Sequence, residues 1–261
     1  MPAVRWCSPA TTMPERAEFL RPVVVIPVYN HPATIGAMVA AVRGHGLPCV
    51  LVDDGSEPGC AAVLDALAAP DVHLVRLPAN QGKGSAMVAG LREAARLGHT
   101  HALQIDADGQ HDPADIPRFL ALAGTHPDAV ICGTPVYDHS IPKARLYGRY
   151  LTHVWVWINT LSLDIRDSMC GFRVYPLGRT LALLDTARIG RRMDFDSEVL
   201  VRLHWQGVAV VNVPTRVTYP QDGISHFRGL HDNMLISAMH ARLFGGMLLR
   251  LPRLLWRKVA A

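Results

Sequence analysis

The chain of 261 residues is 49% hydrophobic and only 18% charged, a composition that excludes an intrinsically disordered protein. Its formal net charge of +4 is unevenly placed, because residues 228–261 contain six basic residues and one acid while the remainder contains 20 basic and 21 acidic residues. The basic character therefore lies in the tail, which argues against a basic groove for nucleic acid across the domain.

After an irregular arm over residues 1–20, buried-type hydrophobic runs alternate with helical stretches. The predicted strands are 23–26, 50–52, 72–75, 102–105 and 129–132, and the predicted helices are 33–43, 58–68, 84–97 and 113–123. Such alternation is typical of βαβ units. It predicts an α/β fold with an open, mostly parallel sheet flanked by helices.

The regular alternation of strands and helices ends after Gly133. We predict a long helix over 142–163, a loop over 164–175, a helix over 195–206 and a strand over 208–213. Residues 229–261 are predicted as a basic, amphipathic helical tail, which Pro252 should kink or break. Four of its arginines fall within roughly 80° on a helical wheel: Arg242, Arg250, Arg253 and Arg257.

The sequence also indicates a compartment. The five cysteines form no C-x-x-C pair, which favours a reducing, cytosolic setting without a zinc site. The N-terminal prolines and acids are not typical of a signal peptide. No run of 18 apolar residues is present, so no membrane-crossing segment is expected.

Polar residues follow three predicted strands, where ligands bind in open α/β sheets. The first strand leads into Tyr29 and Asn30, the second into Asp53 and Asp54, and the fourth into a D-A-D-G-Q-H segment at 106–111. Two aspartates one residue apart can hold a divalent ion together with substrate phosphates. Taken alone, a D-x-D pair arises by chance, and Asp-Gly-Ser is a common turn.

A glycine-rich segment, N-Q-G-K-G-S at 80–85, precedes a predicted helix. It lacks the spacing of a P-loop. It can be interpreted as a phosphate cradle that includes Lys83 or as a turn at a helix start. The two interpretations are compatible, because helix N-termini attract anions.

Together these motifs resemble the family 2 glycosyltransferases of the GT-A fold, in the branch of the polyprenol-phosphate sugar transferases. The resemblance is carried by V-V-V-I-P-V-Y-N at 23–30, V-D-D-G-S at 52–56, N-Q-G-K-G-S-A at 80–86, D-A-D-G-Q-H at 106–111 and C-G-F-R at 170–173. It covers about residues 22–228, and residues 21–228 are taken as the catalytic domain.

The resemblance implies a nucleotide-sugar site and a metal site. The expected donor-binding residues are Pro27, Tyr29, Asn30, Val52, Asp53, Asp54, Lys83, Asp106, Ala107, Asp108, His226 and Arg228, with Asp53 in a supporting role. Mg²⁺ or Mn²⁺ would be held by Asp106, Asp108 and Gln110. The candidate catalytic residues are Asp108, Asp194, Asp196 and Arg228.

The implied reaction inverts the anomeric carbon while a sugar passes to a lipid-linked acceptor. Polyprenyl phosphate, as an anion, needs no base, whereas a hydroxyl of a lipid, glycolipid or polysaccharide precursor needs a carboxylate such as Asp194 or Asp196. One of these two aspartates is expected to be a helix cap instead. A sugar nucleotidyltransferase and a non-catalytic nucleotide-sugar-binding protein are the more distant alternatives.

The chain departs from the family where cations are expected. His31 replaces an acid, Gly133-Thr134-Pro135 replaces an arginine segment, and His226 replaces a lysine. The candidate substitutes are Arg145, Arg149, Arg173 and Arg228.

Contact with the cytoplasmic face of a membrane is the last expectation. The tail places Trp256 among basic residues, and helix 142–163 carries Trp155 and Trp157, a composition that suits the bilayer interface. The basic arc of the tail would then face anionic lipid. Core packing of helix 142–163 and an oligomer contact of the tail are the alternatives, and the oligomeric state stays open.

Overall fold

The computed structural model describes residues 20–137, 143–218 and 229–259, with the side chains of residues 143–145 left out. The strands are β1 (Pro22–Val28), β2 (Cys49–Asp53), β3 (Val72–Arg76), β4 (His101–Gln104), β5 (Val130–Tyr137), β6 (Arg173–Pro176) and β7 (Val210–Val217). The helices are α1 (Pro32–Gly44), α2 (Pro58–Leu67), α3 (Lys83–Arg96), α4 (Ile116–Thr125), α5 (Lys143–Thr160), α6 (Leu177–Thr186), α7 (Phe195–Trp205) and α8 (Gly229–Val259).

The seven strands form one sheet in the order β3-β2-β1-β4-β6-β5-β7. All pairs are parallel except those of β6, which is antiparallel to both β4 and β5. The predicted open, mostly parallel sheet is confirmed. The strand order reverses between β1 and β4, so the loops that follow these strands face the crevice where α/β proteins bind ligands.

Each face of the sheet is covered by helices. Val23 and Val25 of β1 pack toward α3 and α7, whereas Val24 and Ile26 pack toward α1 and α4. Alternate side chains of a strand point to opposite faces, so a continuous apolar run is the pattern that a strand buried on both sides requires. This explains why the first four strands were predictable from sequence.

The prediction of a loop over 164–175 is wrong at its end, because β6 begins at Arg173. Helix α6 was not predicted. Arg173 and Tyr175 make β6 look polar, yet both side chains are fully buried. The Nη atoms of Arg173 and the hydroxyl of Tyr175 form hydrogen bonds inside the protein, whereas Arg173 Nε has no partner among the described residues. Tertiary hydrogen bonds therefore override the local sequence signal.

The tail forms one helix that continues through Pro252, contrary to the expected break. Met247 before the proline and Leu254 after it are both buried in the core that also contains α7. Packing on both sides of Pro252 thus offsets the local cost of proline, so the helix does not break there. The boundary of a separate tail at 229 stays a prediction.

Three arginines of the basic arc contact α7, although Arg242, Arg250 and Arg253 are exposed, and the expected contact of the arc with lipid stays a prediction. Arg257 donates to the carbonyl of His204, Arg250 lies 4.8 Å from the ring of Trp205, and Arg242 lies 3.2 Å from Glu198. These arginines bind carbonyl, aromatic and carboxylate groups of α7. The arc therefore serves to attach α8 to the domain.

The opposite face of α8 is apolar. At seven-residue spacing it carries Met234, Ala241, Leu248 and Leu255, one face of a helix. The exposed large apolar side chains of α5 and α8 are Tyr147, Tyr150, Leu151, Val154, Trp155, Ile158, Leu230, Met234, Phe244, Leu248, Leu249, Leu255, Trp256 and Val259. We call these residues the outer apolar surface. By length and composition α8 is also apolar enough to cross a membrane, and only 22% of its apolar 18-residue window is buried. The sequence-based expectation of no membrane-crossing segment considered uninterrupted apolar runs alone, and the arginines of α8 interrupt its apolar runs.

Candidate active site

The turns after β1 and β2 are tied to each other. Asn30, whose φ is 55°, donates its backbone N–H to Ser56 and accepts a hydrogen bond from the N–H of Glu57. In the β2 turn, Gly55 has a φ of 71°, and a Cβ there would lie 2.4 Å from the backbone of Ala79. Only glycine fits this approach, which explains the D-D-G-S sequence.

The two aspartates that end β2 have structural partners. Asp53 is buried and accepts hydrogen bonds from Arg76 at 2.8 Å and from the N–H of Ser56, an arrangement suited to the supporting role predicted for it. Val52, predicted to line the donor site, is also fully buried. A donor contact by Val52 would therefore involve its backbone.

Asp54 holds the start of α3. Its carboxylate accepts hydrogen bonds from the N–H groups of Gln81 and Gly82 at 2.7 and 2.9 Å. The N–H of Ser85 donates to the backbone carbonyl of Arg191. Burial raises the pKa of Asp54, although these amide donors oppose the shift. The predicted phosphate cradle thus already binds an anion, which is the protein's own carboxylate.

The central feature of the site is a four-membered cluster at the end of β4. Lys83 Nζ lies 2.8 Å from Asp106 Oδ2 and 2.8 Å from Asp196 Oδ2. Gln104 Nε2 lies 3.3 Å from the other oxygen of each carboxylate. Lys83, predicted to bind donor phosphate, therefore joins two carboxylates in this structure, and its phosphate role stays a prediction.

Residues of β6 fix the orientation of Gln104. Arg173 can only donate, so the oxygen of Tyr175 accepts from it at 3.3 Å and the Tyr175 O–H donates to Gln104 Oε1 at 3.1 Å. The amide nitrogen of Gln104 must then face Asp106 and Asp196. Burial raises the pKa of Tyr175, which keeps this hydroxyl protonated.

Gly171 makes room for Asp106. A Cβ at Gly171 would lie 2.0 Å from Asp106 Oδ2. Burial alone would raise the pKa of Asp106, but the charge of Lys83 and His111 and the hydrogen bonds from Lys83 and Gln104 together hold that pKa below its usual value. The G in C-G-F-R is thus a steric requirement of the D-A-D segment.

Asp108 and Gln110, both half-buried, follow at the same rim, and the N–H of Gln110 donates to Asp108 Oδ1 at 3.0 Å. Ala107, between Asp106 and Asp108, is buried. The described residues contain no group of three or more His, Cys, Asp or Glu side chains arranged around a common metal position. The oxygen donors of Asp106, Asp108 and Gln110 nevertheless fit Mg²⁺ or Mn²⁺, because such ions use few protein carboxylates and take further oxygens from substrate phosphates.

The structure separates the two aspartates near the start of α7. Asp196 reaches the cluster at β4, whereas Asp194 occupies the position before the helix and accepts from the N–H of Arg192. Burial raises the pKa of Asp194. Asp194 also lies 3.8 Å from Arg242 of α8, so it faces the tail helix.

Two of the cations proposed as substitutes for missing family residues bind other groups of the protein. Arg149 donates two hydrogen bonds to the buried carboxylate of Asp167, and Arg173 donates to the carbonyls of Ser168 and Asp196. The side chain of Arg145 and the residues His226 and Arg228 lie outside the described part of the chain. Their roles stay predictions.

Sequence reasoning missed Gln104, Tyr175, Asp167 and Gly171. The signal for Gln104 and Tyr175 was present as polar residues at the ends of short strands. Their importance depends on β6 lying between β4 and β5, an arrangement that no local pattern shows.

Comparisons with known proteins identify the family of this chain. A sequence profile described as "Glycosyl transferase family 2" matches residues 23–180. Polyprenol monophosphomannose synthase of Mycolicibacterium smegmatis is 30% identical over 239 residues, which are 85% of this chain and 84% of the relative. Undecaprenyl-phosphate mannosyltransferase of Micrococcus luteus is 29% identical over 220 residues, covering 80% of this chain and 88% of the relative.

Solved structures share the fold. Glucosyl-3-phosphoglycerate synthase from Mycobacterium tuberculosis, in a complex with Mn²⁺ and uridine-diphosphate-glucose, matches with a TM-score of 0.64 and 16% identity. The match covers 90% of this chain and 80% of that one.

Proposed function

The chain belongs to glycosyl transferase family 2, and from this membership we propose that it transfers a sugar from a nucleotide-diphosphate donor to polyprenyl phosphate with inversion of the anomeric carbon. The names of the relatives from M. smegmatis and M. luteus support a polyprenyl acceptor. The donor would lie along the turns after β1, β2 and β4, where Tyr29, Asn30 and Asp54 come together with Asp106.

The observation that carries the choice of acceptor is the place of Asp196. Both of its carboxylate oxygens are engaged, one by Lys83 and one by Gln104. Taking a proton from an acceptor hydroxyl would neutralise Asp196 and remove its ion pair with Lys83 Nζ. A phosphate acceptor is already an anion and makes no such demand.

In the reaction, an oxygen of the acceptor phosphate forms a bond to the anomeric carbon while the bond to the nucleoside diphosphate breaks on the opposite side. The leaving diphosphate takes the electron pair of that bond. Asp106, Asp108 and Gln110 would hold Mg²⁺ or Mn²⁺, which when bound supplies positive charge beside the diphosphate. The Mn²⁺ and uridine-diphosphate-glucose of the M. tuberculosis structure support this assignment. Asp54 would keep the start of α3 fixed beside the donor, and Arg228 and His226 would add positive charge from the segment after β7.

We further propose that the protein acts at the cytoplasmic face of the membrane, with the outer apolar surface in the bilayer interface. Aromatic and aliphatic side chains are exposed together on α5 and α8, which is the composition of interfacial helices. α5 carries part of this surface and also contributes Arg149, whose guanidinium lies 5.6 Å from the ring of Tyr137 at the end of β5. A lipid acceptor held in the bilayer would therefore lie close to the strand ends.

The test uses two acceptors that differ only in the phosphate, a polyprenyl phosphate and the corresponding polyprenol, with a panel of nucleotide sugars and Mn²⁺ or Mg²⁺. We expect transfer to the phosphate alone, and Asp108→Asn should lower kcat at least about 100-fold. The anomeric configuration of the product is read by NMR. Transfer to the polyprenol but not to its phosphate would refute the acceptor, and full activity of Asp108→Asn would refute the metal role.

A further inference from the structure

Lys83, Gln104, Asp106 and Asp196 form a closed arrangement that we call the bracket. Each carboxylate accepts one hydrogen bond from the Lys83 ammonium and one from the Gln104 amide. The four side chains come from three parts of the fold: the first turn of α3, the end of β4 and the first turn of α7. The bracket thus joins segments that are far apart in sequence.

Two carboxylates this close repel each other, and burial increases the repulsion. Asp196 is 5% exposed and Gln104 is fully buried, so water screens the pair poorly. The single ammonium of Lys83, with 16% of its side chain exposed, lies between the two acids. Without it, the end of β4 and the start of α7 would be pushed apart.

The surroundings of Lys83 leave its ammonium directed at these acids. The amides of the loop before it are held by Asp54, which fixes the backbone at Gly82. At Gly82 and Gly84 an added Cβ would overlap segment 190–195, so the start of α3 is packed closely against the segment that leads into α7. Lys83 is therefore placed by packing on both sides.

We propose that Lys83 and Gln104 are positioning residues, which hold Asp106 on the donor side and Asp196 on the acceptor side at one fixed separation. This inference rests on the proposed function, because it assigns the donor to the loop of Asp106 and the acceptor to the side of α7. It differs from the sequence-based expectation that Lys83 binds donor phosphate. The two assignments differ in the effect that they predict on nucleotide affinity, which a positioning residue leaves unchanged and a phosphate ligand strengthens.

A positioning role predicts that loss of Lys83 lowers kcat and leaves nucleotide binding intact. A displacement of about 1 Å in an active site can cost about 100-fold in rate, so Lys83→Met should lower kcat about 100-fold. The dissociation constants of UDP and GDP with Mn²⁺, measured by calorimetry, should remain within about threefold of the wild-type values, because a tenfold change would correspond to about 1.4 kcal/mol of lost contact.

The matched control is Lys258→Met, the same chemical change at an exposed lysine near the end of α8. It should leave kcat and nucleotide affinity unchanged. Gln104→Leu removes the uncharged half of the bracket and leaves both ion pairs of Lys83, so it serves where Lys83→Met does not fold. It should also lower kcat with nucleotide affinity preserved. All rates are compared well below the melting temperature of each variant.

Three outcomes separate the possibilities. Weaker binding of UDP or GDP by tenfold or more in Lys83→Met would make Lys83 a phosphate ligand and overturn the inference. Wild-type kcat in either Lys83→Met or Gln104→Leu would overturn it as well. Failure of the proposed function is recognised separately, because the wild-type protein itself would then bind no nucleoside diphosphate and transfer no sugar.

Discussion

The strand ends and the outer apolar surface use charge in opposite ways. At the strand ends acids outnumber bases, and Lys83 and Arg149 are bound by the protein's own carboxylates, in the bracket and in the pair of Arg149 with Asp167. On α8, Arg242, Arg250 and Arg257 contact α7, and an apolar face is left outside. In both regions these contacts stabilise the fold before any ligand binds.

The largest effect is expected when the space around the bracket is filled. In Gly171→Ala the new Cβ would overlap the carboxylate of Asp106, so we expect the free energy of unfolding to fall by about 1–3 kcal/mol. We also expect sugar transfer to fall at least about 100-fold, because Asp106 must move. Denaturant unfolding and turnover assays measure both effects. Gly124→Ala is the control, since a Cβ there meets no atom within 4 Å. Equal behaviour of the two variants would mean that Asp106 is not sterically confined.

The outer apolar surface is tested by charge. Leu248→Glu combined with Leu255→Glu places two carboxylates on the face of α8 that points away from the domain. Since burying each leucine is worth about 1.5–3 kcal/mol, we expect at least about 30-fold weaker binding to lipid vesicles. Sedimentation with vesicles measures this.

The control for that experiment is Arg253→Gln, which removes a charge of the tail and leaves the apolar face unchanged. If α8 binds lipid through its apolar face, Arg253→Gln should bind vesicles of neutral and of anionic lipid as the wild type does. A large loss confined to anionic vesicles would support the expectation that the basic arc faces lipid.

The contact of α8 with α5 should make the stability of the protein depend on pH through His240. Burial lowers the pKa of His240 to about 4, and the ring stacks 6.0 Å from Trp155 with Asn159 at 3.3 Å. Because the unfolded chain takes up a proton near pH 6.5 and the folded chain only near pH 4, stability is complete above pH 6.5 and falls as the pH decreases between these values. His240→Gln has no titrating ring at this position, so as the pH falls from 6.5 to 5.5 its free energy of unfolding should rise by about 1 kcal/mol relative to that of the wild type. Urea unfolding at several pH values measures it, and parallel curves would contradict the assignment.

The smallest expected effect concerns the link between the tail and α7. Arg242 is half exposed and approaches Glu198, which is buried and also bound by Arg202 at 2.7 Å. Because Glu198 keeps a partner, Arg242→Met should cost only about 0.5–1 kcal/mol of unfolding free energy. Arg253→Met, in the same helix, should cost nothing measurable by the same unfolding assay. A loss of several kcal/mol would show that Arg242 is the main partner of Glu198.

The sequence predicted β1 to β5 with the helices between them, and also α5, α7, β7 and the helical tail, because buried strands leave apolar runs and amphipathic helices leave apolar stripes. β6 was missed since its Arg173 and Tyr175 look polar and bind Asp196 and Gln104, which are distant in sequence. The continuity of α8 was missed for a related reason, since buried side chains on both sides of Pro252 hold the helix together.

For the site, the sequence by itself determined the family and the carboxylates at the strand ends, because these motifs are contiguous and their spacing is local. Only the tertiary structure decided how those residues pair. It assigned Asp54 to the start of α3, Asp196 but not Asp194 to the bracket, and the arginines of α8 to α7. Pairing depends on distances between segments separated by many residues, and such distances exist only once the chain has folded.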